Sequence, residues 1–339
     1  MKKRRRVTVR KPSALKKKPV MRHSRETRSG GPRHRSRSSA TRPISIEVGE
    51  AGRRLKVLVT GGTGTVGSQV VRELHARGAD VTVLTRDLSK TKGLAPEIHA
   101  VQGNLLDPAT IRKAFAGMDG LFLLNALGTS ETHEGLMAVN GARLAGIRRV
   151  AYLSVHRVDE AAHLPHFGSK IAVETALRAS GIPTAFIRAN NYFQNDYWFK
   201  DAILGYGVYP QPIADVGVSR VDVRDIAEAV AIALLSGAKG IFNIVGPEPL
   251  TGNRTAAIWA KALDKAVAYG GDDLDAWEQQ ACQMLPPWLA FDLRMMYAHF
   301  GERGLPATSA EVKALTKLLG HPPRRFEDFV AETAKLWKS

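Results

Sequence analysis

From Leu55 to about Val245, short aliphatic and β-branched runs alternate with stretches whose apolar positions recur every three or four residues. The runs predict strands at 55–59, 80–86, 98–101, 120–124, 149–154 and 184–188, with later candidates at 219–221 and 240–245. The helical spacing predicts helices at 66–74, 109–116, 131–145, 168–179 and 223–235. This alternation points to an α/β fold, a doubly wound and mostly parallel sheet with helices on both faces. Beyond Gly246-Pro-Glu-Pro249 the pattern turns helical, with Leu285-Pro-Pro-Trp288 as a break. The expected organisation is therefore a tail over 1–54, a Rossmann-like α/β region over 55–245 and a smaller, mostly helical region over 246–339. Residues 190–220 are expected to contribute to a substrate pocket.

The junction of the first strand and first helix reads Thr60-Gly-Gly-Thr-Gly-Thr-Val-Gly67. Gly61 suits a tight turn, Gly64 lets backbone N–H groups approach a phosphate, and Gly67 lets the helix pack close to the strand. Thr63, Thr65 and Val66 complete the loop. A second strand follows within about thirty residues, as a βαβ unit requires. An acidic residue ending that strand would bind ribose hydroxyls and favour NAD. Thr85 and Arg86 stand there instead, and a guanidinium can pair with a 2′-phosphate and stack on adenine. The expected cofactor is NADP(H), with NAD(H) as the alternative; Asp87, one residue later, argues the other way.

These motifs resemble the short-chain dehydrogenase/reductase superfamily in its extended or atypical branch, built on a Rossmann-type sheet. The segments Gly103-Asn-Leu-Leu-Asp107 and Val221-Asp-Val-Arg-Asp-Ile-Ala227 extend the likeness. Leu315-Thr-Lys-Leu-Leu-Gly-His-Pro-Pro-Arg-Arg-Phe-Glu-Asp-Phe-Val330 is similar to the terminal segment of the NmrA-like branch. The resemblance covers 55–337 and implies that Asn104 and Leu105 lie at the adenine and that Asn125 lies near the cofactor. Members with the usual catalytic set use Ser, Tyr and Lys. Here Ser154 ends a strand, Lys170 opens a helix, and His166 occupies the place of the tyrosine. By resemblance Lys170 binds the nicotinamide ribose, while Ser154 can donate a hydrogen bond to a substrate oxygen. An imidazole at position 166 can supply a proton. Tyr192 or Tyr197 could instead replace the missing phenol. Asn191, Tyr192, Phe193 and Trp198 follow a strand end, where they can line a pocket for a flat acceptor or seal the C-terminal helices.

Charge refines this picture without changing it. The formal charge is +17, yet residues 1–54 hold 19 Lys and Arg against 3 acidic residues, while the other 285 hold 30 against 29. The tail is poor in apolar residues and reads as disordered. A solvated appendage, or a start placed too far upstream, is favoured over a nucleic-acid or membrane arm or a targeting segment. Nucleic acid is expected only through this tail. No apolar run reaches the roughly 18 residues of a membrane helix. Cys282 is the sole cysteine, so a reducing cytoplasm is the default expectation. His156, His163 and His166 lack a cysteine to complete a metal site and fall in a segment read as loop. Two functions follow: an NADPH-dependent oxidoreductase passing hydride to a small quinone, enone or carbonyl, or a non-catalytic NAD(P)-sensing regulator acting through a protein partner.

Overall fold

Successive strands of this chain are too apolar to leave either face in water, and the fold covers both. The computed structural model describes residues 53–338, so the expectations for the tail before Arg53 lie outside the described residues. β1 (Lys56–Thr60), α1 (Thr65–Ala76), β2 (Asp80–Thr85) and β3 (His99–Gln102) wind in one direction. α2 (Pro108–Phe115) then carries the chain back across β1 to β4 (Gly120–Leu123). The sheet grows onward through α3 (Glu131–Ala145), β5 (Arg149–Val155), α4 (Pro165–Ser180) and β6 (Thr184–Ala189). A two-residue strand, β7 (Val208–Tyr209), precedes α5 (Val223–Ser236) and β8 (Gly240–Ile244).

The seven strands lie in the order β3-β2-β1-β4-β5-β6-β8, every neighbouring pair parallel. The winding reverses between β1 and β4, which opens a crevice at their carboxyl ends. Val57 and Val59 of β1 pack under α1 and α5, while Leu58 packs under α2, α3 and α4. Local chemistry sets the helix starts: Asp107 and Asp222 accept N-terminal backbone hydrogens of α2 and α5. α4 begins three residues before the predicted position because Pro165 at its first turn carries a helix-ready φ. His166 therefore sits in a helix rather than a loop.

The remaining chain forms α6 (Gly252–Leu263), β9 (Ala268–Tyr269), α7 (Leu274–Ala281), α8 (Pro287–Arg303), α9 (Ser309–Leu319) and α10 (Phe326–Lys338). β9 pairs with β7, and a capping box of Thr308 and Glu311 starts α9. α9 packs beside α5 on the sheet, whereas α6, α8 and α10 enclose a separate apolar cluster with Phe193, Ile203 and Tyr209. Trp259 and Trp337 stack within it at 4.6 Å. No helix among the described residues is long and apolar enough to cross a membrane.

The predicted strand at 219–221 does not form. Val218 bridges Leu250 and Leu305, and Val221 bridges Tyr192, so three isolated bridges replace a ladder. The reason is Arg220, which is fully buried. Its Nη2 donates to Asp196 Oδ1 at 2.6 Å and to the Tyr192 carbonyl at 2.8 Å, and its Nε donates to Asn191 Oδ1 at 3.0 Å. Trp259 Nε1 donates to the other Asp196 oxygen at 2.8 Å. Such a charge pair survives burial only when its remaining donors and acceptors are also matched. Removing one partner strands the other, so Asp196→Ala is expected to cost about 3–5 kcal/mol, read as a lower denaturant midpoint at unchanged slope. A loss under about 1 kcal/mol would refute this account of the pair.

Candidate cofactor and active site

The glycine turn at the end of β1 is shaped by contacts that no side chain would survive. Gly61 takes φ +65°, and Gly64 N–H donates to its carbonyl at 3.0 Å. A Cβ on Gly67 would lie 2.1 Å from that same carbonyl oxygen. Thr60 Oγ1 accepts from Leu124 N–H at 2.8 Å and donates to Leu124 C=O at 2.9 Å, locking the ends of β1 and β4 together. No side chain caps α1, and its first turn carries no acidic residue. Gly64 and Thr65 are exposed, Thr63 half-buried and Val66 buried. The N-terminal amides of α1 are therefore presented to an anion at the crevice, as a dinucleotide pyrophosphate requires.

At the end of β2, Thr85 Oγ1 accepts from Asp87 N–H at 3.2 Å and Gln102 donates to the Arg86 carbonyl at 3.2 Å. The Arg86 side chain is exposed and forms no ion pair among the described residues. Asp87 does not compete for the same place: its carboxylate accepts from Ser89 N–H at 2.9 Å, and the Ser89 hydrogen bonds hold its carboxyl below the ordinary range. Leu105 is buried, whereas the exposed Asn104 spends its Oδ1 on Leu106 N–H at 3.0 Å.

On the face covered by α3 and α4 the structure assembles a buried polar layer. Leu123 pairs with Tyr152, so Asn125 continues β4 toward the level of Ser154. Asn125, Tyr152 and Ser154 are 4%, 0% and 1% exposed. Lys170 reaches into this layer from α4, its Nζ 2.6 Å from Glu131 Oε1 at the start of α3 and 5.7 Å from the Tyr152 ring centroid. One turn further along α4, Glu174 accepts from Arg188 Nε at 3.0 Å and Nη2 at 2.7 Å. Burial would raise the Glu174 carboxyl, but Arg188 outweighs it and holds that carboxyl low. Ser154 lies beside Glu174 without meeting hydrogen-bond geometry, so its hydroxyl faces the protein interior rather than open space.

The histidines have separate partners. His166 Nδ1 is 2.6 Å from Asp292 on α8, with side chains 11% and 3% exposed. His156 is fully buried, within 2.9 Å of Glu311 and 3.2 Å of Asn190, and burial pushes its imidazole below the usual range. His163 meets His299 edge-on at 6.2 Å. These three histidines do not converge on a common point. Asp225, Glu228 and His321 do converge, but Arg324 already bridges the two carboxylates.

The aromatic segment divides. Tyr192 is half-buried, its phenol raised by burial and by the Glu131 charge. Asn191 holds Arg220. Phe193, expected in the pocket wall, is instead buried against Phe326 at 5.0 Å, so it seals the C-terminal helices. Trp198 is 70% exposed. Tyr197 packs on Phe329, beside a cavity of about 340 Å³ that opens near Thr65 and Ser68.

Sequence reasoning missed Glu131, Asp292, Glu174 and Arg188. Glu131 could be read only as an acidic helix start, and Asp292 lies 126 residues from His166 with no motif around it.

A reductase of (4-alkanoyl-5-oxo-2,5-dihydrofuran-3-yl)methyl phosphate from Streptomyces griseus is 30% identical over 283 residues, covering 82% of this chain and 98% of that protein. An NAD(P)H azoreductase from Xenophilus azovorans is 28% identical, covering 80% and 96%. The crystal structure of an NADPH-dependent quinone oxidoreductase from Escherichia coli, complexed with NADPH, superposes with a TM-score of 0.74 at 25% identity, covering 82% and 99%. The family model described as NmrA-like matches residues 53–330, and the chain belongs to the NmrA-like family.

Proposed function

We propose that this protein is an NADPH-dependent oxidoreductase that reduces a small quinone, enone or carbonyl acceptor. The observation that carries the reading is the uncapped α1 N-terminus, framed by Gly61 and Gly67 at the carboxyl end of β1. Relatives that reduce azo compounds, quinones and a furan-based phosphate ester agree in reaction type.

A bound nicotinamide supplies the hydride; everything else falls to the chain. Gly61, Thr63, Gly64, Thr65, Val66 and Gly67 cradle the pyrophosphate through backbone amides. Arg86 pairs with a 2′-phosphate, and Asn104 and Leu105 border the adenine. Lys170 and Asn125 bind the ribose and amide end. Asp292 at Nδ1 orients His166 so that the imidazolium can release a proton from Nε2 to the reduced acceptor. Asn191 and Tyr192 border the acceptor, with Trp198 at the outer edge. Ser154 is assigned to the floor of the layer, given its burial.

NADPH oxidation against a panel of quinones, enones and ketones tests the reading. Turnover with at least one class is expected. Tight NADPH binding without turnover on any acceptor would instead favour a dinucleotide-sensing regulator that acts through a protein partner. Gly67→Ala is expected to weaken NADPH binding by at least about ten-fold, since the added carbon must push the turn apart. Unchanged affinity by fluorescence titration would remove the loop from the site. Arg86→Ala is expected to lower the preference for NADPH over NADH by about 10–100-fold, the scale of a lost charge-assisted contact. Dissociation constants for both cofactors measure it, and an unaltered ratio rejects the role.

A further inference from the structure

Glu131 is 2% exposed, and its Oε1 lies 2.6 Å from a Lys170 ammonium whose side chain is only 11% exposed. A buried ion pair is a poor device for stability alone, because apolar residues of similar volume usually serve as well or better. Its place in the fold suggests another purpose. Glu131 opens α3, where the helix N-terminus favours a carboxylate, and it faces the carboxyl ends of β4 and β5.

The groups around the pair are unsatisfied in a consistent way. Both polar atoms of Asn125 and the Tyr152 hydroxyl are buried without a hydrogen-bond partner among the described residues. Buried polar atoms seldom go unpaired, so several in one layer mark a place built to receive polar atoms from outside the chain. Gly135, one turn along α3, lets that helix pack close on α4 and on this layer: a Cβ there would lie 2.4 Å from Val173 and 3.4 Å from Asn125 Oδ1. Lys170 can move on its flexible four-carbon stem, and the Glu131 carboxylate is the charge that meets its ammonium.

Resting on the oxidoreductase reading above, we infer that Glu131 is the positioning residue for Lys170, fixing its ammonium at the mouth of the polar layer so that it meets the ribose hydroxyls of the cofactor. Glu131 touches the cofactor only through Lys170. Removing its charge lets the ammonium swing away while the backbone and the glycine loop stay as they are.

A double-mutant cycle on the full chain tests this, with NADPH fluorescence titration and steady-state NADPH oxidation as readouts. Glu131→Gln is expected to weaken NADPH binding by about ten-fold, the scale seen when a partner that orients a ligand-binding side chain is lost. In a Lys170→Met background the same substitution is expected to change neither affinity nor turnover further. Glu131→Asp, which keeps the charge, is expected to recover part of the loss, and it remains informative if Glu131→Gln fails to fold. Additive effects in the cycle, or Glu131→Gln and Glu131→Asp binding like the parent, would overturn the inference while leaving the oxidoreductase reading intact. An unmodified protein that binds no NADPH would overturn both.

Discussion

The buried pair of Arg220 and Asp196 is the constraint on which the arrangement around the crevice depends. It holds the segment following β6 against the residues preceding α5, and through Trp259 it ties both to α6. Each charge has been taken wholly out of water, so each needs the other together with its hydrogen bonds to Asn191, Tyr192 and Trp259. That demand explains why the chain at 219–221 forms scattered bridges instead of a sheet strand. It also sets where Tyr192 stands relative to the sheet.

Helix α4 organises charge on the opposite face. His166, Lys170 and Glu174 follow one another at intervals of four residues and share one side of the helix. Each meets a partner from a different element: Asp292 on α8, Glu131 on α3 and Arg188 on β6. One helix thus connects the C-terminal helices, the layer beside α3 and the sheet itself. His166 gains in Asp292 a carboxylate partner that suits an imidazole. The glycine turn lies across the crevice, and its geometry depends on backbone contacts rather than charge.

Much of this was legible beforehand where the signal was local. The βαβ unit, the glycine turn and the start of α5 at Val223 follow from neighbours a few residues apart. The loss of the 219–221 strand was not legible, because its cause is a partner more than twenty residues away. Phe193 illustrates the same limit: its aromatic character suits a pocket wall or a core equally, and only Phe326 and Phe329 decide between them.

The sequence alone determined the order of strands and helices, the anion-ready turn and the types of side chain at the crevice. Short-range backbone sterics and apolar periodicity govern those features. Only the tertiary structure decided which charges meet: Glu131 with Lys170, Asp292 with His166, and Asp196 with Arg220. These pairs join separate elements, and their distances depend on how helices pack on the sheet, which no local pattern encodes.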